Sequence, residues 1–247
     1  MGDLDPQVDA MIAEGAAAID SLPTHAERIA NLLATNFPAQ TLSAVHDGMR
    51  PSLETAKGGV NAKVAELSNL CREEAAVAAA QFRQCEMWLR LKAPAVSDGN
   101  NFGVDVQNYV LTEMKEMRTA MESMVTAGKD YYWSRAQGLE KILGEDKTSK
   151  TSSEDRTADT EDGKTTEKLC KKTSSSTTAT SAAGYPDYRE YVVCVDVRQY
   201  HLVFNHLTDM RNNYIKAHVL FAKNMKRLND PRGEGADGRS GNVMSMF

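Results

Sequence analysis

The residues best suited to metal binding or nucleophilic catalysis are histidines and cysteines, and their spacing assembles no familiar catalytic motif. The chain has five histidines and four cysteines: His25, His46, His201, His206, His218, Cys71, Cys85, Cys170 and Cys194. None of the histidines occurs in the Glu-x-x-His spacing of helical di-iron sites, and no Cys-x-x-Cys pair suggests zinc. The sequence also lacks a Gly-x-Ser-x-Gly turn and a phosphate-binding loop. We therefore expect no enzyme, no metal and no cofactor.

A polar, glycine-containing segment is the first candidate for recognition rather than catalysis. It consists of Asp98, Gly99, Asn100, Asn101, Phe102 and Gly103. Gly99 can adopt positive φ freely, the two asparagines tolerate the left-handed region, and Asp98 can cap the local backbone. One interpretation is an ordinary turn in which Asp98 or an asparagine caps the next helix. The other is a loop that contacts a partner.

The chain end is the second candidate. A glycine-rich stretch over residues 232–238 precedes an apolar end formed by Val243, Met244, Ser245, Met246 and Phe247. A flexible spacer with an apolar end and a terminal carboxylate suits insertion into a partner's pocket. The alternative is a frayed terminus.

Helical periodicity indicates which elements position these two segments. Apolar residues recur at alternating spacings of three and four, as in Met114, Met117, Met121 and Met124, a pattern typical of four-helix bundles. We predict an all-α, up-down four-helix bundle with helices over 6–37, 60–91, 104–143 and 188–228. Pro23 should kink or split the first helix, and residues 38–59 should form a connection because they contain Pro51, Gly58 and Gly59.

Topology predicts that the loop and the tail share one end of the bundle. In an up-down arrangement, the 94–103 connection lies where the fourth helix finishes. Residues 144–184 are dominated by Ser, Thr, Lys, Asp and Glu, so we expect a disordered insert at the opposite end. Because the flanking helices need each other's apolar faces, we expect one domain over 1–247, with a flexible tail over 231–247.

Composition limits the partners and the compartment. A net charge of −5 gives no reason to expect nucleic acid as a partner. The sequence has no transmembrane run, and its acidic first residues do not resemble a signal peptide. The widely spaced cysteines suggest a reducing compartment, so we expect the cytosol, the nucleus or both, and no membrane partner.

Several motifs together resemble the 11S (REG) proteasome activators. The loop Asp98–Gly103 with Val104 and Gln107 is similar to that family's activation loop and the helix that follows it. Similar patterns surround it at Trp88-Leu89 and Pro94, at Met210-Arg211-Asn212, and at Asp230-Pro231-Arg232-Gly233, and the chain ends with an aromatic residue, Phe247. The resemblance is strong over 60–143 and 188–247. It implies a heptameric ring of four-helix subunits that caps the 20S proteasome core particle.

The resemblance also implies roles for the two candidate segments. Residues 243–247 would dock between α-subunits of the core particle, and the loop would open the gate without ATP, with Asn100 as the principal contact. Asp98, Gly99 and Gly103 would hold the loop. Ala95 and Ser97 depart from the family pattern at positions that brace the loop. The alternatives are a coiled-coil scaffold or adaptor unrelated to the proteasome and, disfavoured by its missing ligands, a bundle metalloenzyme.

Overall fold

The computed structural model describes residues 4–39, 41–55, 59–95, 101–147 and 186–232, and these ranges contain six α-helices. The helices are α1 (Asp5–Asn36), α2 (Leu42–Thr55), α3 (Ala62–Leu91), α4 (Phe102–Thr126), α5 (Lys129–Lys147) and α6 (Pro186–Asn229). No strand occurs in the described ranges, and none of their helices combines the length and apolarity needed to cross a bilayer.

Four rods form an up-down bundle, which confirms the predicted fold class. The rods are α1, α3, the pair α4–α5, and α6. Neighbouring rods are antiparallel: α1 contacts α3 through Gly15 and Trp88 at one end and through Arg28 and Glu74 further along. The diagonal pair α3 and α6 runs parallel: Ser68 accepts a hydrogen bond from Gln199, and further along both helices Gln81 accepts one from Tyr214. This pattern is the one that four alternating rods require.

The methionine stripe predicted from the sequence lines the bundle core. Met114 and Met121 are fully buried on α4, and Leu207 and Met210 are fully buried on α6. Each such side chain stabilises the fold by about 1.5–3 kcal/mol through its removal from water. Cys71 and Cys85 are buried in the same core, as their two-heptad spacing suggests.

The predicted connection over 38–59 is wrong in part, because it contains helix α2. This helix buries Val45 and Met49, one turn apart, against the bundle. Pro51 lies inside α2 and Pro23 inside α1, and neither splits its helix. Tertiary packing of the apolar face outweighs the missing backbone donor at each proline.

The single third helix predicted over 104–143 is two helices. Gly128 has a φ of 109°, in the region that favours glycine, and separates α4 from α5. The start predicted for the insert is also wrong, since α5 continues to Lys147. The rest of that insert, residues 148–184, lies outside the described residues.

A buried ionic cluster joins three segments at the end of the bundle that contains α5. Asp196 of α6 accepts hydrogen bonds from Asn61 (2.8 Å), Tyr131 (2.8 Å) and the Arg135 Nε (2.9 Å). The Arg135 Nη1 also donates to the carbonyl of Gly59. Arg135 is 3% exposed and Asp196 is 1% exposed, so neither charge could be removed without leaving the other unpaired.

Candidate functional site at the loop end of the bundle

The candidate site is the end of the bundle where α3 finishes, α4 begins and α6 finishes. We call it the loop end and define it by residues 92–95, 101–107 and 227–232. The up-down topology predicts that these three segments meet. Their contacts determine where the loop before α4 and the chain after α6 leave the bundle.

Gly103 allows the closest of these contacts. A Cβ added to Gly103 would lie 2.0 Å from the carbonyl oxygen of Pro231 and 2.6 Å from its carbonyl carbon. No side chain fits in that space, so the backbone of α4 rests directly on the backbone that follows α6. Gly103 is thus required for a close approach between two backbone segments of the chain rather than for an unusual φ.

Gln107 joins all three segments one turn further along α4. Its side-chain Nε2 donates to the carbonyl of Leu228 (2.9 Å) and to that of Lys92 (3.3 Å). Gln107 is buried, and the two carbonyls belong to Leu228, the penultimate residue of α6, and to Lys92, the C-cap residue that follows α3. A buried amide shared in this way satisfies backbone groups that a helix end leaves without intrahelical partners.

Arg232 holds the segment that leads into the loop. Its Nη2 donates to the carbonyl oxygen of Ala95 at 2.6 Å. This contact uses the backbone of residue 95, so the alanine side chain does not weaken it. The departure from the family pattern at Ala95 is therefore accompanied by a brace from the chain after α6, while Ser97 lies outside the described residues.

Phe102 presents an aromatic ring at the start of α4. The ring is 59% exposed, and the Arg227 guanidinium lies 4.5 Å from its centroid. A cation over an aromatic face contributes about 0.5–1 kcal/mol at an exposed site. Asn101 occupies the N-cap position, but its side chain makes no capping hydrogen bond, so the simple capping interpretation fails at this asparagine.

The structure describes only some of the predicted site residues. Asn101, Phe102 and Gly103 lie together at the loop end. The other members of both segments lie outside the described residues: Asp98, Gly99, Asn100, Val243, Met244, Ser245, Met246 and Phe247.

Sequence reasoning missed the roles of Gln107, Arg227 and Arg232. Gln107 did carry a signal, because it extends the spacing of Val110, Met114 and Met117 by one polar member. A polar side chain on an apolar stripe often satisfies buried backbone groups. The two arginines carried no comparable signal, since surface arginines are common.

Neither buried thiol is suited to nucleophilic chemistry. Burial raises the pKa of Cys71 to about 12 and that of Cys85 to about 12, with Glu74 and Glu86 adding to the respective shifts. Both thiols are therefore protonated at neutral pH and act as small apolar side chains.

Comparison with known proteins identifies the family. The profile of the family described as "Proteasome activator PA28, C-terminal" matches residues 58–151 and 150–238. The chain belongs to this proteasome activator family. The matched range contains every residue of the loop end, so the contacts of Gly103, Gln107 and Arg232 lie within the part that defines membership.

Relatives of known sequence carry matching names. Human "Proteasome activator complex subunit 3" is 24% identical over 155 residues, which are 62% of this chain and 45% of the human protein. "Proteasome activator 28" of Dictyostelium discoideum is 26% identical over 149 residues, which are 60% of this chain and 50% of that protein. The chain thus aligns with about half the length of the relatives it matches.

Solved structures share the fold over nearly the whole chain. The 11S subunit of the Plasmodium falciparum proteasome, PA28, superposes with a TM-score of 0.62 at 18% identity and covers 92% of both chains. A subunit from an archaebacterial 20S proteasome–PA26 complex gives a TM-score of 0.63 at 13% identity, covering 96% of this chain and all of that one. At these identities the likeness establishes the fold.

Proposed function

We propose that this chain assembles into a heptameric ring, caps the 20S proteasome core particle and stimulates peptide hydrolysis without ATP. Membership of the activator family supports the proposal, as do the 20S complexes formed by its structural neighbours. The observation that carries it furthest is the contact between Gly103 and Pro231. It keeps the loop before α4 and the chain after α6 at one end of each subunit, as a single docking surface requires.

The loop before α4 and the tail after α6 would have different roles. Residues 243–247 would enter pockets between α-subunits and supply binding, with the terminal carboxylate as a principal contact. Seven weak tails acting from one ring would bind strongly, because each attachment raises the effective concentration of the next. The loop would then displace the gate, with Asn100 as the contacting residue and Asp98, Gly99 and Gly103 holding its shape.

The loop end gives this division a physical basis. Gln107 and Arg232 connect both sides of the loop to the end of α6 through backbone carbonyls. A docked tail would therefore keep the loop close to the same α-ring, within the reach of the glycine-rich spacer over 232–238, and the contacts at the loop end would keep the loop in place relative to the start of that spacer. Without these contacts, a bound tail would leave the loop free to move away from the gate.

The test measures hydrolysis of a fluorogenic peptide by purified 20S core particles from the same organism, without ATP. The assembled wild-type ring should raise the rate. Asn100→Tyr should still bind the core particle but should not stimulate it. Removal of residues 244–247 should abolish both binding and stimulation.

Two results would contradict the proposal. If the assembled wild-type ring neither bound nor stimulated the core particle, the activator function would be wrong. If the shortened chain bound as tightly as wild type, the tail would not be the docking element. Asn101→Ser, which keeps a small polar side chain beside Asn100, is the control for the loop and should retain most of the stimulation.

A further inference from the structure

A cluster of three metal-ligating side chains lies where α2 packs on α6, away from the loop end. His46 of α2 directs Nε2 to within 2.6 Å of Oε1 of Glu190 on α6. Cys194 lies four residues after Glu190, on the same face of α6. The ligand atoms of the three residues all lie within 4.8 Å of one another. We propose that His46, Glu190 and Cys194 form a zinc-binding site that joins α2 to α6.

The donor set suits zinc. Imidazole nitrogen, carboxylate oxygen and thiolate sulfur are the three ligand types that Zn²⁺ binds in proteins, and three protein ligands leave a fourth position for water. A thiolate and a carboxylate together neutralise the two charges of the ion. On binding, the Cys194 thiol releases its proton to solvent and its sulfur bonds to the metal.

The geometry needs only side-chain adjustment to become tetrahedral. Ligand atoms around a tetrahedral zinc stand about 3.4–3.7 Å apart, given metal–ligand bonds of about 2.0–2.3 Å. His46 and Glu190, now hydrogen-bonded, would separate by about 1 Å, and the widest pair would close by a similar amount. Glu190 and Cys194 are exposed and His46 is only partly buried, so these movements disturb no core packing.

Arg50 orients one of the three ligands. Its Nη2 lies 3.2 Å from Oε2 of Glu190, which leaves Oε1 directed at His46, and ligating carboxylates are commonly hydrogen-bonded in this way. Nδ1 of His46 lies 3.8 Å from Oδ1 of Asp47, beyond hydrogen-bonding distance, so Asp47 contributes negative charge rather than orientation. The positive charge of Arg50 repels a bound cation, and the Cys194 thiolate together with the Glu190 and Asp47 carboxylates offsets that repulsion.

Sequence spacing alone could not reveal this site. The expectation of no metal was drawn from ligand pairs close together along the chain. Here one ligand comes from α2, which was itself predicted as a connection, and the other two come from α6. A metal at this position would fasten α2, a helix of 14 residues, onto the longest helix of the bundle.

The experiment uses the full-length chain with Cys170→Ser, which removes the cysteine outside the described residues. Zn²⁺ binding is measured by equilibrium dialysis, and Co²⁺ is substituted to report the ligands by absorption. We expect one metal ion per chain, a thiolate-to-cobalt charge-transfer band, and a rise in Tm on adding Zn²⁺. His46→Ala, Glu190→Gln and Cys194→Ser should each lower metal affinity at least tenfold.

Cys194→Ser should also abolish the charge-transfer band, and it is the decisive variant because an exposed serine does not endanger folding. His218→Ala, which removes an exposed histidine elsewhere on α6, is the matched control and should bind metal like the parent. No stoichiometric metal in the parent, or an unchanged band in Cys194→Ser, would overturn the proposal. His46, Glu190 and Arg50 would then form an ion-paired cluster without a metal.

Discussion

Replacing Gly103 with alanine should separate the start of α4 from the end of α6. The new Cβ would stand 2.0 Å from the carbonyl oxygen of Pro231. Non-bonded carbon and oxygen atoms in proteins approach to about 3.3 Å. The two backbones would therefore have to part by about 1.3 Å, and no flexible side chain is present between them to absorb the shift.

The cost of Gly103→Ala follows from two losses and one gain. Overpacking of this kind costs about 1–3 kcal/mol. The shift also stretches the hydrogen bond from Gln107 to the Leu228 carbonyl, worth about 1 kcal/mol. Alanine gains up to about 1 kcal/mol over glycine within a helix, but less in a first turn. We expect a net loss of about 1–3 kcal/mol of unfolding free energy.

Urea unfolding followed by circular dichroism, at one protein concentration, measures this loss. Gly48→Ala is the matched control, because Gly48 is an exposed helical glycine in α2 and its added Cβ would meet nothing within 4 Å. The control should unfold at the same urea concentration as wild type or at a slightly higher one. Under the proposed activator function, Gly103→Ala should also stimulate the core particle less than wild type at equal protein concentration. If Gly103→Ala were as stable as Gly48→Ala, the close backbone contact at the loop end would be refuted.

Three further predictions concern other parts of the molecule. Asp196→Ala should lower the unfolding free energy by about 3–5 kcal/mol in urea, because it leaves the buried Arg135 guanidinium without its carboxylate; a loss below 1 kcal/mol would contradict this. Since folding raises the pKa of Cys71 and Cys85 from 9.0 to about 12, their contribution to stability is complete below pH 9 and is lost as pH rises toward 12. Urea midpoints should therefore fall between pH 9 and 11, and replacing both cysteines with alanine should reduce the fall that begins near pH 9, while Tyr131 and Tyr214, whose pKa values burial also raises, sustain a fall above about pH 10. Arg232→Ala should speed proteolytic cleavage in the α3–α4 connection while changing global stability by less than about 1 kcal/mol, and an unchanged cleavage rate would show that this contact does not brace the connection.

The long helices could be predicted from the sequence because their apolar spacing is regular. The predictions of 60–91 and 188–228 differ from α3 and α6 by two residues or fewer at each end. In both helices apolar residues recur at alternating spacings of three and four over many turns, so the pattern is long enough to identify a helix. Pro94 also marks where the connection after α3 begins.

The short elements could not be predicted, because their signals conflict. In α2, two buried residues one turn apart compete with Gly48 and Pro51, and only contact with the rest of the bundle decides in favour of helix. The break at Gly128 interrupts a stretch that is otherwise helical on both sides. A lone glycine in such a stretch is as compatible with a continuous helix as with a turn.

The sequence predicted where the candidate site lies in the bundle but not the contacts that form it. The up-down alternation of the helices was enough to predict that the loop before α4 and the tail after α6 lie at the same end of the bundle. The backbone contact of Gly103 with Pro231 and the double hydrogen bond of Gln107 depend on the distance between rods. Side chains throughout the core set the distance between the rods, so no local sequence pattern predicts it.

The 44-residue length of α6 suggests where a reporter can be attached. At about 1.5 Å per residue, the helix spans about 65 Å from Pro186 to Asn229. The chain between Lys147 and Pro186 joins α6 at its far end from Pro231. A fluorescent protein or an affinity handle inserted in that stretch would be attached at the end of the bundle opposite the loop end, so the labelled protein could be followed in cells or immobilised on a surface with its loop end left open.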